Sequence, residues 1–265
     1  MASCKAESSS TMDFMVMTLL LFSAFLIHGV QAGRGVGVVP DRSLVAADYY
    51  SWCPGHATFY GGPDAAGTDG GSCGYQNPFA LGYGQHTAAI SDMIYDGGLA
   101  CGACFEVKCV GSNCQSNSVV VTATNESPQV TTATPGPHFD LSQPAFDVVS
   151  PESAGNIIIQ YRRVSCQKQG GIMFQIQGSQ YWMSVLVYNV GGAGDVQSLS
   201  VKGANTDWVA LQQIWGQTWS STAVQGLYGQ AISFSTTTSD GKTLDSYNVG
   251  DSGWKFGQTY EGSQY

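Results

Sequence analysis

The sequence predicts an all-β protein of two domains, a compact six-stranded barrel followed by an immunoglobulin-like sandwich. Only 11% of the 265 residues are charged while 34 are Gly, a composition that suits short strands joined by many turns. Six cysteines lie between Cys73 and Cys166, and none follows. From Ile172 onward, apolar and polar residues alternate with the period of two that is typical of half-buried strands.

The first residues are predicted to form a signal peptide. The apolar run from Phe14 to Ile27 is shorter than the roughly 20 residues that span a bilayer. This run is typical of a signal-peptide core, and small residues precede the predicted cleavage site after Ala32. We therefore assign 1–32 to the signal peptide and 33–48 to a linker, with an N-terminal membrane anchor as the alternative.

The charge of the chain excludes one class of partner. Cleavage after Ala32 removes Lys5, Glu7 and Asp13, so the net charge of −9 becomes −8. Because an acidic surface repels phosphates, nucleic acid is not an expected partner. A neutral polysaccharide raises no such conflict.

In a secreted chain the clustered cysteines predict a disulfide framework whose connectivity the spacing leaves open. Its members are Cys73, Cys101, Cys104, Cys109, Cys114 and Cys166. The Cys101-x-x-Cys104 pair has no second such pair and no spaced His pair, so no metal site and no cofactor is predicted. Cys53 is the odd cysteine, expected to be free or to pair with another chain.

The predicted layout places the barrel at 49–166, a hinge at 167–171 and the sandwich at 172–265. In the barrel, strands are expected at 105–108, 118–123 and 157–163, with a short helix at 87–95. In the sandwich, strands are expected at 183–188, 197–201, 208–215, 231–237 and 243–249, since turn signals separate these runs.

Asp140 is the first candidate for chemistry, because a carboxylate between Phe139 and Leu141 can have a raised pKa and act as a general acid. Alternatively it caps backbone amides in a turn. Inverting hydrolysis of a glycosidic bond needs a second carboxylate about 6.5–9.5 Å away. Asp64, Asp69 and Glu126 are the candidates, and ordinary solvated loop positions are the alternative for each.

Other polar residues are expected near the same strand ends: His56, Thr58, Tyr60 and Asn125. Thr58 and Tyr60 are two apart and therefore face one side of a strand. These side chains are expected either to orient a sugar hydroxyl or to pack at the rim of the barrel. Asn125-Glu126-Ser127 is formally a glycosylation sequon.

The second domain carries aromatic residues that could stack on sugar rings without any need for charge. The predicted exposed set is Tyr181, Trp182 and Trp215. Trp208 and Trp219 complete the cluster in the sequence, and at least one tryptophan is expected in the sandwich core.

Several segments, in order and in spacing, resemble the expansin family over nearly the whole mature chain, closest to the α-type of plants. They are ATFYGG (57–62), GGSCGY (70–75), CGACFEVKC (101–109), HFDLSQPAF (138–146), YRRVSC (161–166), NVGGAGDV (189–196) and FGQTY (256–260). The resemblance implies a double-psi β-barrel, similar to family-45 endoglucanases, followed by a cellulose-binding β-sandwich. It implies the disulfides Cys73–Cys101, Cys104–Cys166 and Cys109–Cys114.

The resemblance also implies a function. Asp140 falls on the acid position shared with those endoglucanases, whereas Ala123 and Asn125 stand where a catalytic base is wanted. The implied protein is secreted to the plant cell wall and loosens non-covalent contacts between cellulose and matrix glucans such as xyloglucan, as a monomer and without hydrolysis. The implied groove consists of Thr58, Tyr60, Asp69, Asn125, His138 and Asp140. A weak endo-β-1,4-glucanase and a carbohydrate-binding protein without mechanical activity are the alternatives.

Two features depart from the α-type pattern. The segment from Glu126 to Pro137 is shorter than usual and lacks the two cysteines and the tryptophan expected there. Asp69 stands where the α-type usually has an apolar residue. These departures predict an early-diverging member or a different preference for the matrix glucan.

Overall fold

A computed structural model describes residues 51–128 and 136–265. The predicted signal peptide and linker, and the first two residues of the predicted barrel domain, lie outside these ranges. Within them, no helix is both long enough and apolar enough to cross a membrane.

Six strands close the first domain into a barrel, in the order β1-β5-β2-β4-β3-β6. Two neighbouring pairs are parallel, β1 with β5 and β2 with β4, and the other contacts are antiparallel. This confirms the predicted barrel. The strands are β1 (Cys53–Tyr60), β2 (Thr87–Ser91), β3 (Cys104–Cys109), β4 (Ser118–Ser127), β5 (His138–Ser142) and β6 (Ile157–Val164).

Aromatic rings from three strands fill the middle of the barrel. Phe139 on β5 lies 4.8 Å from Tyr161 and 5.3 Å from Phe105 between ring centroids, and all three are buried. Because side chains alternate along a strand, burial of Phe139 and Leu141 turns Asp140 to the opposite face of β5. The core thus fixes the direction of the candidate acid.

Two sequence expectations for this domain need correction. The segment predicted as a helix begins with strand β2, and only Asp92–Tyr95 forms a helix (α1), followed by a 3₁₀ turn at Asp96–Gly98. The run Thr87–Ser91 is buried at every position, so pairing with both β4 and β5 decides its conformation. Strand β4 also runs beyond its predicted end and includes Asn125 and Glu126.

A second helix, α2 (Gln143–Val149), follows β5 directly with Pro144 in its first turn, and a 3₁₀ turn follows at Glu152–Ala154. Ser142 precedes the helix without capping it through its side chain. Its hydroxyl instead donates to the carbonyl oxygen of Gln85 at 2.6 Å.

The three disulfides implied by the resemblance are present: Cys73–Cys101, Cys104–Cys166 and Cys109–Cys114. Cys53 is buried and is also disulfide-bonded, so the expectation of a free thiol is wrong. No described cysteine is free.

The second domain is a sandwich of two layers that share strand β10. The first half of β10 pairs with β9 in the layer β13-β12-β9-β10, and its second half, which includes Trp215, pairs with β11 in the layer β10-β11-β8-β7-β14. Phe174 and Phe234 stack at 4.3 Å between the layers. The strands are β7 (Met173–Ser179), β8 (Trp182–Tyr188), β9 (Val196–Gly203), β10 (Val209–Trp215), β11 (Thr218–Ser221), β12 (Ile232–Thr238), β13 (Thr243–Gly250) and β14 (Gln258–Glu261). The sequence did not predict the two four-residue strands, β11 and β14, which are too short to show a clear period.

The two domains pack closely where glycines meet. A Cβ atom on Gly216 would lie 2.5 Å from the Cys73 carbonyl, and one on Gly98 would lie 2.8 Å from the Gly216 Cα. Only residues without side chains permit this approach. The buried Gln217 also bridges the domains, since its backbone N–H donates to the Cys73 carbonyl and its amide donates to the Gly98 carbonyl.

Candidate functional site

The polar side chains of β1 and β5 are brought together by the parallel register of these strands. His56 lies opposite His138, and Thr58 lies opposite Asp140. The two imidazoles stack with their centroids 4.7 Å apart. His56 and His138 are buried while Thr58 and Asp140 are half-buried, so the row leads from the barrel wall to its surface.

A chain of hydrogen bonds runs along this row. The Thr58 hydroxyl donates to Asp140 Oδ1 at 2.6 Å and lies 2.9 Å from His138 Nε2. Because the hydroxyl has a single proton, His138 Nε2 must be the donor in the second contact. The other ring nitrogen, Nδ1, then accepts from the Ser127 hydroxyl at 3.1 Å. With Asp140 ionised, every polar group in the chain has a partner.

Burial shifts the two titratable groups of this chain in opposite senses. It lowers the pKa of His138 to about 4, with a further contribution from neighbouring His56. It raises the pKa of Asp140 above its ordinary value, although the hydrogen bond from Thr58 opposes the shift. The imidazole is therefore neutral at physiological pH, and the carboxyl group takes up a proton more readily than an exposed aspartate.

Tyr60 and Asn125 extend the site toward the loop that precedes Cys73. Burial raises the pKa of Tyr60 to about 12, the nearby Asn125 amide lowers it, and Asp140 and Asp69 raise it further. No described group makes a hydrogen bond of ordinary geometry to the Tyr60 hydroxyl. Asn125 Oδ1 accepts from the backbone N–H of Ser72 at 2.7 Å and thereby holds this loop against β4.

The three candidate second carboxylates differ in their surroundings. Asp64 is exposed and accepts from the Ala66 N–H at 3.0 Å, the ordinary role of Asp in a turn. The pKa of Glu126 is raised by burial and then by its neighbour Asp92, so its interaction is with Asp92. Asp69 is exposed and is the candidate that shares the neighbourhood of Tyr60 with Asp140.

The predicted aromatic set lies at the surface of the sandwich, where Tyr181, Trp182 and Trp215 are 65%, 46% and 51% exposed. Trp219 belongs to the core, where its indole N–H lies 3.4 Å from Gln217 Oε1. Trp208 is partly exposed but packs beside Lys202 in the other layer.

One loop connects the two sets of residues. Ser72 is held by Asn125, and a Cβ atom on neighbouring Gly74 would lie 3.6 Å from the Trp215 ring. The loop at 70–76 therefore contacts the groove side of the barrel and the aromatic surface of the sandwich.

The sequence did not point to two serines that complete the site. Ser127 orients the His138 ring, and the Ser91 hydroxyl accepts from the His138 backbone N–H at 3.0 Å. Because side chains alternate along a strand, Asn125 and Ser127 lie on the same face of β4. This spacing of two residues was the sequence signal that could have identified Ser127. No group of three or more metal-ligating side chains occurs within residues 51–128 and 136–265.

A closed barrel with a row of polar, titratable side chains, followed by a sandwich with exposed aromatic rings, defines a two-domain β protein. One family model, described as Expansin C-terminal domain, matches residues 172–250, and the barrel model, described as Lytic transglycolase, matches residues 87–161. Expansin-A23 of Arabidopsis thaliana is 44% identical over 221 residues, which cover 80% of each protein. Expansin-A25 of Oryza sativa subsp. japonica is 39% identical over 259 residues, covering 92% of this chain and 97% of that protein.

The chain therefore belongs to the expansin family. It is an extracellular, wall-loosening protein rather than a conventional hydrolytic enzyme. The crystal structure of an expansin from Clavibacter michiganensis shares the fold, with a TM-score of 0.63, 19% identity, and coverage of 81% of this chain and 98% of that one. A point mutant of that bacterial protein was solved in complex with cellohexaose.

Proposed function

We propose that the barrel groove binds one glucan chain while the sandwich binds the cellulose surface, so that the protein separates the two without cutting either. The loop at 70–76 carries this proposal, since it is hydrogen-bonded to Asn125 and lies beside the Trp215 ring. A polymer lying on Tyr181, Trp182 and Trp215 could thus continue into the groove. The cellohexaose complex of the bacterial relative supports a glucan as the ligand.

The proposed groove comprises Thr58, Tyr60, Asp69, Asn125, His138 and Asp140. Thr58 and Tyr60 supply hydroxyl groups and Asn125 an amide, which are the groups that hydrogen-bond sugar hydroxyls in water-excluded sites. Asp140 has one oxygen on Thr58 and its second oxygen available for a sugar hydroxyl.

Protonation of Asp140 would change what the groove can bind. A protonated carboxyl group donates a hydrogen bond, whereas the ionised form only accepts. The neutral His138 allows Thr58 to reverse its bonds, since the imidazole can place its proton on either nitrogen. We infer that the protonated state, favoured in an acidic wall, is the one that pulls a glucan from its neighbours.

We infer a non-hydrolytic action from the surroundings of the second carboxylates. Asp64 serves a turn and Glu126 interacts with Asp92, so neither is held toward a water opposite Asp140, as inverting hydrolysis requires. Asp69 is the exception, because its charge, like that of Asp140, raises the pKa of Tyr60. Weak glucanase activity through Asp69 and Asp140 is therefore the second candidate.

The finer features of the proposal are a signal peptide at 1–32, a place in the plant cell wall, and xyloglucan-type glucans as additional partners of a monomer. We do not propose glycosylation at Asn125. Its side chain already accepts a hydrogen bond from the Ser72 N–H. It also packs so closely against Gly71 that a Cβ atom on this glycine would lie 2.7 Å from the Asn125 Cγ.

The test is the extension of heat-inactivated plant wall strips under load at mildly acidic pH, with released sugar assayed in the same bath. We expect extension without sugar release. We expect Asp140→Ala, which removes the carboxyl group, to lose most of the extension at every pH while still binding cellulose, and Asp64→Ala, a matched change at an exposed turn, to behave as the unaltered protein. Equal extension by Asp140→Ala and the unaltered protein at every pH would contradict the role of this residue. Sugar release that scales with extension and disappears in Asp69→Asn would establish the glucanase instead.

A further inference from the structure

A cavity of about 600 Å³ lies beside the hinge, on the outer side of the barrel. Its walls include Tyr83, Gln85, His86, Thr122, Ser165 and Lys168. None of the groove residues lines it. Its size is within the range of cavities that hold small molecules or one or two sugar units.

Lys168 is the unusual group in this cavity. It is half-buried, and its ammonium nitrogen lies 4.3 Å from the centre of the Tyr83 ring. No described carboxylate lies within ion-pair distance of it, and no Asp or Glu lines the cavity. A partly buried ammonium group without a counter-charge loses hydration that the ring contact only partly replaces.

Polar groups of the cavity surround this charge. Ser165 and Thr122 contribute hydroxyls, Gln85 and Gln167 contribute amides, and His86 is the other basic side chain in the lining. In a chain with a net charge of −9, a cavity with basic and neutral groups only is a local exception. Such a site favours an anion that can also accept hydrogen bonds.

We propose that the hinge cavity binds a hexuronate, whose carboxylate pairs with Lys168 and whose hydroxyls bond to Ser165 and Gln167. The choice of a sugar acid over other carboxylates rests on the proposed action in the wall. The carboxylate itself is argued from the cavity alone. The ligand is either a free hexuronic acid or a unit of an acidic polysaccharide, and the site is separate from the glucan groove.

The test is titration of the full chain with trigalacturonate at low ionic strength and mildly acidic pH, followed by calorimetry. We expect saturable binding, about tenfold weaker binding by Lys168→Gln, and unchanged binding by Lys255→Gln, which removes an exposed charge in the sandwich. The methyl ester of trigalacturonate keeps the rings and lacks the charge, so it should not bind. Burial lowers the pKa of Lys168 to about 8, so binding should weaken as the pH rises above this value.

Two arms identify the source of the carboxylate. If monomeric galacturonate binds as tightly as the trimer, the ligand is a free sugar acid, and if only the trimer and polygalacturonate bind, it is a polysaccharide. Equal weakening by Lys168→Gln and Lys255→Gln, binding of the methyl ester, or no binding at all would overturn the proposal. Wall extension and cellulose binding by Lys168→Gln should match those of the unaltered protein, which distinguishes failure here from failure of the proposed function and shows that the variant is folded.

Discussion

The barrel and the sandwich reach stability by different routes. All three disulfides whose two cysteines the structure describes lie in the barrel. Its buried residues include many polar ones, among them His56, Thr124, Ser127 and His138. The sandwich contains no cysteine after Cys166 and closes on an apolar core of aliphatic and aromatic side chains. The barrel therefore combines an apolar cluster with buried polar groups and covalent cross-links, whereas the sandwich relies on its apolar core without them.

The sharpest test of this contrast removes one cross-link. Cys104 and Cys166 are 62 residues apart, so loop-closure entropy predicts a loss of about 4 kcal/mol when both become alanine. Calorimetry should show a large fall in the melting temperature of the barrel and little change in that of the sandwich. Equal loss in both domains would mean that the disulfide supports the domain interface rather than the barrel.

The interface itself contains a buried ion pair. Arg163 of the barrel donates to Asp195 of the sandwich at 3.0 Å, with side-chain exposures of 14% and 3%. Asp195→Ala leaves the arginine without its carboxylate and should cost about 3 kcal/mol. Because the pair joins the two domains, we expect calorimetry to show a lower melting temperature for both of them.

The surface pair Lys242–Asp240 is the control for that change. Lys242 is 68% exposed at its side chain, so Lys242→Ala should cost less than about 1 kcal/mol. A similar loss of stability in both variants would show that burial does not increase the contribution of the interface ion pair.

The response of the two domains to acid should also differ. His138 has a pKa of about 4 in the folded barrel against an ordinary value of 6.5. The unfolded chain therefore binds more protons between these values, so the barrel is most stable above pH 6.5 and loses stability as the pH falls to about 4. The raised pKa of Asp140 acts in the opposite direction and offsets part of this loss. In the sandwich, hydrogen bonds from Ser235 and Tyr247 lower the pKa of Asp245, whose stabilising effect is lost only in stronger acid.

His138→Gln tests this difference. The variant should show a flatter pH dependence of barrel unfolding, measured by denaturant titration between pH 6.5 and 4. The sandwich transition should be unchanged. If the slope for the barrel stays the same in the variant, another group is responsible for its sensitivity to acid.

The two domains also differ in how far their sequences predict them. In the sandwich, period-two alternation from Ile172 identified most strands, because one buried face imposes it. In the barrel, Thr87–Ser91 is buried on both sides and shows no period, which explains the helix predicted there. The polar cluster depends on the parallel register of β1 and β5, a contact between segments about eighty residues apart. Local patterns suggested Thr58 and Asp140 separately, but only the fold shows that a hydrogen bond joins them.

The smallest predicted effect distinguishes the two kinds of tryptophan in the sandwich. Trp182 is 46% exposed, so Trp182→Ala should change stability by less than about 0.5 kcal/mol. It should weaken cellulose binding about tenfold, or about 1.4 kcal/mol, because an exposed ring that stacks on a sugar contributes through the contact alone.

Trp208→Ala is the matched control, since this ring packs beside Lys202 in the other layer and should leave cellulose binding unchanged. Both variants are compared in depletion assays with insoluble cellulose. If they bind equally, the aromatic residues near the barrel loop have no special role. If only Trp182→Ala is impaired, then cellulose lies on the layer whose far end contacts Gly74. In that case the aromatic surface and the groove act on one polymer assembly, and the close packing at Gly216 holds the two domains together.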